Sequence, residues 1–319
     1  MRLIGVAAGL VALGAFVYTF SRVLSVREAI EMLRLHKSAI CLALVLYLTA
    51  YVPMTAGWVI LAKGCGAHTT NRSLARVYLV SQIGKYLPGN VGHFLGRVFL
   101  VRQHGVSIEA AGAAITYEII GSLASGALFA MLVEFLSPPG PGNAVIPLAA
   151  AALASVLLIA LLFLRRETAR LHALNALAAA VVCYFLVCFL MAGANIALLG
   201  AISGNYSEAL ALRTAGAVVL SSLLGFMVPG APAGLGIREM SFYALLAGSY
   251  PASDVVLAAA AMRLVTTAGD GIAWLVGLTV QTREADVDCD SSTSTSRSQA
   301  ATPVRSKKKK SANDVLSRS

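Results

Sequence analysis

The chain has 319 residues, of which 58% are apolar and 13% are charged, and it carries a formal net charge of +10 at pH 7. Soluble globular domains are about 45–50% apolar and about 25% charged, so the composition argues against a soluble enzyme or a nucleic-acid-binding domain. Several runs exceed the roughly 18–20 apolar residues that cross the hydrocarbon of a bilayer. The sequence therefore predicts an all-α integral membrane protein, because barrel strands would be shorter and alternating.

The first third of the chain contains two predicted spans and one broken segment. No small-residue cleavage site follows the apolar run at 3–20, so we interpret it as a retained helix and not as a signal peptide. An amphipathic connector at 21–37 and a second span at 38–62 come next. Two apolar arms, 74–87 and 91–103, then flank a Pro-Gly pair. At about a dozen residues each, they are too short to span and predict a re-entrant hairpin.

The remainder of the chain contains four more spans and a second broken segment. The spans are predicted at 108–135, 143–164, 173–199 and 254–280, and the second broken hairpin at 209–248. The whole arrangement has about six full spans and two re-entrant hairpins, or six to eight transmembrane segments, in a membrane domain of residues 1–282.

The membrane domain contains two similar units, residues 38–135 and 173–280, each ordered as span, broken hairpin and span. If the hairpins do not cross the membrane, the chain crosses it an odd number of times between matching positions of the two units. The second unit is then inverted relative to the first. Inverted repeats of this kind are typical of alternating-access carriers. The segment 209–228 is long enough to span, and the inversion fails if it does.

The charges of the loops favour a cytoplasmic position for both termini. In that orientation the cytoplasmic side collects these basic residues: Arg2, Lys63, Arg72, Arg76, Arg165, Arg166 and Arg170. This distribution follows the positive-inside rule, with the basic connector at 21–37 as the exception.

The segment 283–319 differs from the rest of the chain. It is polar, rich in serine and threonine, and without hydrophobic periodicity, so we predict a disordered cytoplasmic tail. Its Lys307–Lys310 run suits the anionic lipid surface of the cytoplasmic leaflet. The alternative is a solvated tail that only follows the topology.

Two copies of one motif carry the most specific signal in the sequence. Residues 84–97 and 225–238 both read G-x-x-x-P-G-x7-R, with Pro88-Gly89 in the first copy and Pro229-Gly230 in the second. These pairs break a helix because proline lacks an amide hydrogen and glycine frees the backbone. A broken apolar helix with a cation beside the break, repeated in both halves, indicates a transporter's binding site.

Three cations, Lys85, Arg97 and Arg238, adjoin these breaks. Unpaired N–H groups and the helix dipole favour negative charge there, and Arg binds phosphate through two hydrogen bonds whereas Lys acts as a point charge. We predict that the three cations contact an anionic group. Asn90 would add a hydrogen bond, and Glu239 would balance Arg238 or bind a cationic group. The alternative has Arg97 and Arg238 extending to the membrane interface.

Three further charges lie inside predicted spans. Glu118 is in the middle of a span in the first unit, and Arg263 is at nearly the matching place in the second. Asp270 follows Arg263 by seven residues, which places both on one face of a helix. Because charges in a span are costly, we predict a cluster of Glu118, Arg263 and Asp270 in the bundle interior. It would be either a headgroup or proton-coupled site, or a structural ion pair.

Signals of a soluble enzyme are missing. The sequence has no G-x-S-x-G, no H-E-x-x-H and no P-loop. Its five cysteines form no C-x-x-C pair and lie mostly in apolar runs, which predicts reduced thiols. We therefore expect no catalytic activity, no metal site and no cofactor.

Residues 84–91 with Gly96-Arg97, and residues 232–239, resemble the two signatures of the lysylphosphatidylglycerol-synthase transmembrane family, also called flippase-like. The resemblance covers about residues 1–283 and leaves the tail outside it. It implies an inner-membrane protein that moves lipids or lipid-linked intermediates between leaflets. It also implies that the positions facing the headgroup are Lys85, Arg97, Arg238 and Glu239. We expect that the chain lacks the soluble aminoacyl-transfer domain of the two-part synthases, which argues against synthase activity.

Together these observations predict a carrier for a phospholipid or a polyprenyl-linked lipid. A phosphate headgroup cannot cross hydrocarbon unaided because removal of its water is costly, and cations at mid-depth would lower that barrier. Two alternatives stay open. One is a membrane-embedded transferase that uses Glu118 and Asp270, and the other is a non-transporting scaffold that partners an envelope glycosyltransferase.

Overall fold

Helices account for the regular elements of the described chain, apart from an isolated bridge between Ala247 and Tyr250. The computed structural model describes residues 26–86, 91–137, 155, 171–227, 234 and 236–280. They lie in the first of the two units into which the chain divides, residues 1–281, and the second unit is residues 282–319. Several predictions fall outside the described residues: the span at 3–20, the span at 143–164 apart from residue 155, Asn90, Pro88, Gly89, Pro229, Gly230, and the tail with Lys307–Lys310.

The described residues form nine α-helices and one 3-10 helix. They are α1 Val26–Leu35, α2 Lys37–Gly64, α3 Asn71–Ser81, the 3-10 helix Gln82–Tyr86, α4 Gly92–Arg102, α5 Ile108–Leu136, α6 Leu171–Ser203, α7 Glu208–Met227, α8 Ile237–Leu246 and α9 Ala252–Thr279. Side-chain caps fix two of the starts, because Thr70 Oγ1 accepts from Ser73 N at 3.2 Å and Ser107 Oγ accepts from Ala110 N at 3.2 Å.

Five of these helices are long and apolar enough to cross a membrane: Lys37–Gly64, Ile108–Leu136, His172–Ser203, Glu208–Phe226 and Ala252–Thr279. Four of them coincide with predicted spans. The fifth, Glu208–Phe226, lies where the sequence predicts one arm of the second broken hairpin. The structure is therefore that of an α-helical membrane protein, but the count of six spans, the paired re-entrant hairpins and the inverted repeat gain no support from it.

The first broken segment has two short arms, as predicted. The first arm is α3 with the 3-10 helix that continues it, and the second arm is α4. Each α-helix has 11 residues and is therefore about 16 Å long, roughly half of the 30 Å hydrocarbon core. The two arms pack against each other, and α3 also packs against α9.

Small residues let the long helices approach closely. A Cβ added at Gly57 of α2 would lie 2.8 Å from the ring of Tyr184 on α6, and one added at Gly121 of α5 would lie 3.3 Å from the same ring. Close approach through glycine is the usual basis of helix association in lipid, where the hydrophobic effect does not drive it. The core on this side includes the fully buried residues Trp58, Leu61 and Leu74.

Helix α9 has buried residues from Val255 to Gly277 and lies against α2, α3, α6 and α8. Its Gly269 contacts the ring of Tyr47 on α2, and a Cβ there would lie 2.4 Å from that ring. This contact brings α2 directly against the next residue of α9, Asp270, which is fully buried. The packing thus places a carboxylate in the middle of the bundle.

Candidate functional site

A cavity of about 210 Å³ is lined by residues next to the two Pro-Gly motifs and by residues of α2 and α9. We call it the polar cavity. Its lining includes three cations, Lys85, Arg238 and Arg263, and the carboxylate of Asp270. The full lining is Tyr47, Met54, Gln82, Lys85, Tyr86, His93, Ser222, Gly225, Phe226, Gly234, Arg238, Arg263, Thr266 and Asp270. Both copies of the G-x-x-x-P-G-x7-R motif therefore contribute to one cavity.

Asp270 is held by four donors. Tyr47 Oη donates to Oδ1 at 2.6 Å, Tyr51 Oη also donates to Oδ1, and Tyr86 Oη donates to Oδ2 at 2.5 Å. Lys85 Nζ lies 2.6 Å from Oδ2 and forms the salt bridge. Hydrogen bonds to an ionised group are stronger than neutral ones, and these four satisfy a carboxylate that would otherwise be costly in an apolar bundle.

Lys85 lies at the last turn of the 3-10 helix, immediately before the first break. Besides Asp270, its ammonium contacts Tyr47 Oη at 3.4 Å and lies 5.8 Å from the centroid of the Tyr86 ring. Its side chain is 19% exposed, whereas Asp270 is fully buried. The lysine therefore lies at the wall of the polar cavity and connects the break to α9.

Arg238 and Glu239 occupy the first turn of α8, after the second break. Glu239 Oε2 accepts from Gly236 N at 2.7 Å, where Gly236 has a φ of 84° that favours glycine. Glu239 Oε1 lies 3.6 Å from Arg263 Nη1 on α9. Glu239 thus caps α8 and pairs with Arg263, and Arg238 lines both the polar cavity and a neighbouring cavity of about 20 Å³.

Arg97, which is predicted to contact the same anionic group as Lys85, is not among the residues that line the polar cavity. Its side chain is fully buried and pairs with Glu118 of α5 through Nη1 and Oε2. Its Cζ lies 4.5 Å from the Trp58 ring centroid and 4.4 Å from that of Tyr78. Cation–π contacts are strongest when desolvated. The guanidinium of Arg97 is therefore held inside the bundle by Glu118 and two aromatic rings.

The predicted cluster of Glu118, Arg263 and Asp270 is only partly formed. Arg263 and Asp270 line the same cavity, as their spacing on one helix face predicts. Glu118 is elsewhere, paired with Arg97. Glu118 and Asp270 thus pair with cations of the first broken segment, Arg97 and Lys85 respectively.

Three tyrosines of the site, Tyr47, Tyr51 and Tyr86, are not among the residues predicted from the sequence. Tyr47 and Tyr51 are four residues apart on α2, so their hydroxyls leave the same helix face. Their rings pack edge to face with centroids 5.7 Å apart. In the sequence, the feature that could have indicated this pair is the four-residue spacing of two tyrosines within an apolar span. Tyr86, next to Lys85, supplies the third hydroxyl of the site.

His93 begins the second arm and also lines the polar cavity. Its ring lies 3.8 Å from the centroid of the Phe94 ring. Its Nδ1 is buried and has no hydrogen-bond partner among the described residues. The side chain therefore offers one polar atom to the site beside the first break.

Glycines allow the backbone segments on the two sides of each break to lie close together. A Cβ added at Gly84 would lie 2.7 Å from backbone atoms of Gly92 and His93. In the second copy, a Cβ added at Gly234 would lie 3.3 Å from the backbone of Gly225. Gly84 thus permits close backbone contact across the first break, and in the second copy Gly234, whose φ of 67° also favours glycine, packs closely against Gly225.

Replacement of Gly84 by alanine should lower the free energy of unfolding by about 1–3 kcal/mol, because the added methyl group overpacks rigid backbone. Thermal unfolding in detergent measures the effect. Gly96→Ala is the matched control, since a Cβ at Gly96 has no neighbour within 4 Å and alanine favours a helix. Equal melting temperatures for the two variants would contradict the prediction.

The family model described as lysylphosphatidylglycerol synthase TM region matches residues 3–273. This match confirms the resemblance that the two Pro-Gly motifs indicate. No curated protein and no solved structure matches the chain.

Proposed function

Because the chain belongs to the family of lysylphosphatidylglycerol synthase TM regions, we propose that it is a carrier of lipids between the leaflets of the inner membrane. The family indicates a lipid-related membrane role, and the five apolar helices are those of a multi-pass membrane protein. The cargo would be a phospholipid or a lipid-linked intermediate with an anionic headgroup. The polar cavity, with its three cations inside an apolar bundle, is the observation that carries the proposal.

The charges of the site suit a phosphodiester. Lys85, Arg238 and Arg263 are opposed by Asp270 and by Glu239, which pairs with Arg263. One positive charge is left over. A phosphodiester headgroup brings one negative charge and would neutralise the site, so that neither partner is left unpaired in a medium where isolated charge is costly.

One helix N-terminus, that of α4, reinforces this preference, because the carboxylate of Glu239 already caps α8. His93 and Arg238 both line the cavity, and each lies in the first turn of a helix that begins after a break, α4 and α8 respectively. No side chain caps the start of α4 at Val91. The free N–H groups and the positive end of the helix dipole both favour an anion at such a position.

The proposed carrier acts without covalent chemistry. Its residues would replace the water around a phosphate while the acyl chains remain in an apolar environment, so the barrier to leaflet exchange falls. Lys85 and Arg238 would be the main contacts, Arg238 through two hydrogen bonds and Lys85 as a point charge. We propose no catalytic role for Glu118, whose carboxylate is taken by Arg97.

Leaflet exchange in proteoliposomes that contain purified protein and fluorescent lipids tests the proposal. Arg238→Gln should slow exchange by about tenfold or more, because a hydrogen bond to a charged group contributes about 1.5–3 kcal/mol. Arg213→Gln is the control, since Arg213 is exposed on α7 and bonds Ser249 at 3.0 Å outside the cavity lining.

Headgroup-dependent exchange that is lost in folded Arg238→Gln and kept in Arg213→Gln is the expected result. Absence of exchange for every phospholipid and polyprenyl-linked lipid would refute the carrier. Wild-type exchange by Arg238→Gln would refute the role of the polar cavity.

A further inference from the structure

An apolar groove of about 730 Å³ lies between α2, α3 and α9. Its lining is mostly aliphatic, and the exceptions are Tyr51, Thr55 and Asn71. Three alanines, Ala56, Ala75 and Ala273, one on each helix, contribute to its lining. Small side chains on all three helices leave open a space that larger side chains would fill.

The groove has the length of one membrane leaflet. Along α2 its lining runs from Leu48 to Ile60, a distance of about 18 Å at 1.5 Å per residue. Half of the hydrocarbon core is about 15 Å. An extended hydrocarbon chain from a single leaflet therefore matches the groove in length, and the aliphatic lining matches it in polarity.

The groove adjoins the polar cavity through one side chain. Tyr51 lines the groove, while its hydroxyl donates to Asp270 Oδ1. Asp270 in turn lines the polar cavity and pairs with Lys85. On α9, the groove-lining residues Ile272 and Ala273 follow Asp270 by two and three positions. One tyrosine and one carboxylate thus separate a cationic site from an apolar one.

We propose that this groove binds one acyl chain of the lipid whose phosphate occupies the polar cavity. The proposal rests on the carrier function proposed above and adds a second subsite to it. A lipid bound in this way is recognised at both ends, so its affinity depends on chain length as well as on headgroup. A carrier that leaves both chains in bulk lipid would recognise the headgroup alone.

Binding of two phosphatidylglycerols to the purified protein in detergent separates the subsites. Dioleoyl-phosphatidylglycerol has chains that fill the groove, and dihexanoyl-phosphatidylglycerol has chains that are too short to do so. Ala75→Trp should fill the groove and weaken binding of the long-chain lipid about tenfold, with unchanged binding of the short-chain lipid. Val45→Trp is the control, because Val45 is 58% exposed on α2 and does not line the groove.

The proposal for the groove would be overturned if wild type and folded Ala75→Trp bound the long-chain lipid with equal affinity. It would also be overturned if the variant lost affinity for both lipids to the same extent. Lys85→Met tests the headgroup site separately, since it should weaken binding of both lipids. If Lys85→Met and Arg238→Gln bind both lipids as wild type does, the proposed function fails at the polar cavity, and the subsite that depends on it fails with it. Selective loss in Ala75→Trp, with both headgroup variants weakened, supports both.

A second measurement uses the wild-type protein and therefore does not depend on the folding of a variant. A phosphatidylglycerol with a photoreactive diazirine at the end of one acyl chain is irradiated in proteoliposomes. Adducts concentrated at 48–60 and 71–79 support the groove. Adducts spread evenly over exposed apolar residues elsewhere, such as Val182 and Leu186 of α6, would overturn it.

Discussion

Replacement of Arg97 by alanine should lower the free energy of unfolding by about 3–5 kcal/mol, because it leaves the carboxylate of Glu118 buried without its partner. Glu118 is 8% exposed, so water cannot replace the lost guanidinium. The variant also removes the cation that lies between Trp58 and Tyr78. Chemical or thermal unfolding in detergent, followed by tryptophan fluorescence, measures the loss.

Two variants make this prediction specific. Arg102→Ala removes an exposed cation from the last turn of the same helix and should cost less than 1 kcal/mol. The double variant Arg97→Met/Glu118→Leu removes both charges and should recover most of the stability, because apolar residues of similar volume often replace a buried pair without loss. A single variant as stable as wild type would show that the pair contributes nothing.

Asp270→Ala should destabilise the protein by a similar amount, about 3–5 kcal/mol, for a different reason. The carboxylate is the acceptor for three tyrosine hydroxyls and the partner of Lys85. Its removal leaves four donors in the bundle without their acceptor. The same unfolding measurement applies, and lipid exchange should fall with it because Lys85 loses its position at the cavity wall.

Asp270→Asn separates charge from hydrogen bonding in this group. The amide keeps one oxygen for the hydroxyls of Tyr47 and Tyr51 but no longer neutralises Lys85, so the variant should lose less stability than Asp270→Ala. Asp254→Ala, in the first turn of the same helix, should cost about 1 kcal/mol or less. If Asp254→Ala and Asp270→Ala were equally stable, the four donors would not matter for folding.

Part of this site was predictable from the sequence because it depends on local spacing. The spacing of seven positions from Arg263 to Asp270 places both on one face of α9, and both do line the polar cavity. The repeated motif predicts that Lys85 and Arg238 serve one site, and the cavity contains both. Hydrophobic run length predicts four of the five apolar helices, since a membrane span depends on composition alone.

The rest depends on tertiary packing that the sequence does not encode locally. Glu118 could pair with any buried cation, and the choice of Arg97 follows from how α4 packs beside α5. In the sequence, Tyr47 and Tyr51 cannot be distinguished from apolar core residues, because the carboxylate to which they donate, Asp270, lies on the distant helix α9. Helix α7 is continuous over 20 residues, so the second half of the chain does not repeat the two short arms of the first.

The hydroxyls around Asp270 would also matter to the proposed carrier after its lipid has left. If Lys85 turns from Asp270 to a bound phosphate, three tyrosines still donate to the carboxylate, so the carboxylate stays hydrogen-bonded inside the bundle. After release of the lipid, the same carboxylate would again be the partner of Lys85. Asp270 would thus take the place of the phosphate beside Lys85 at the end of each transport cycle.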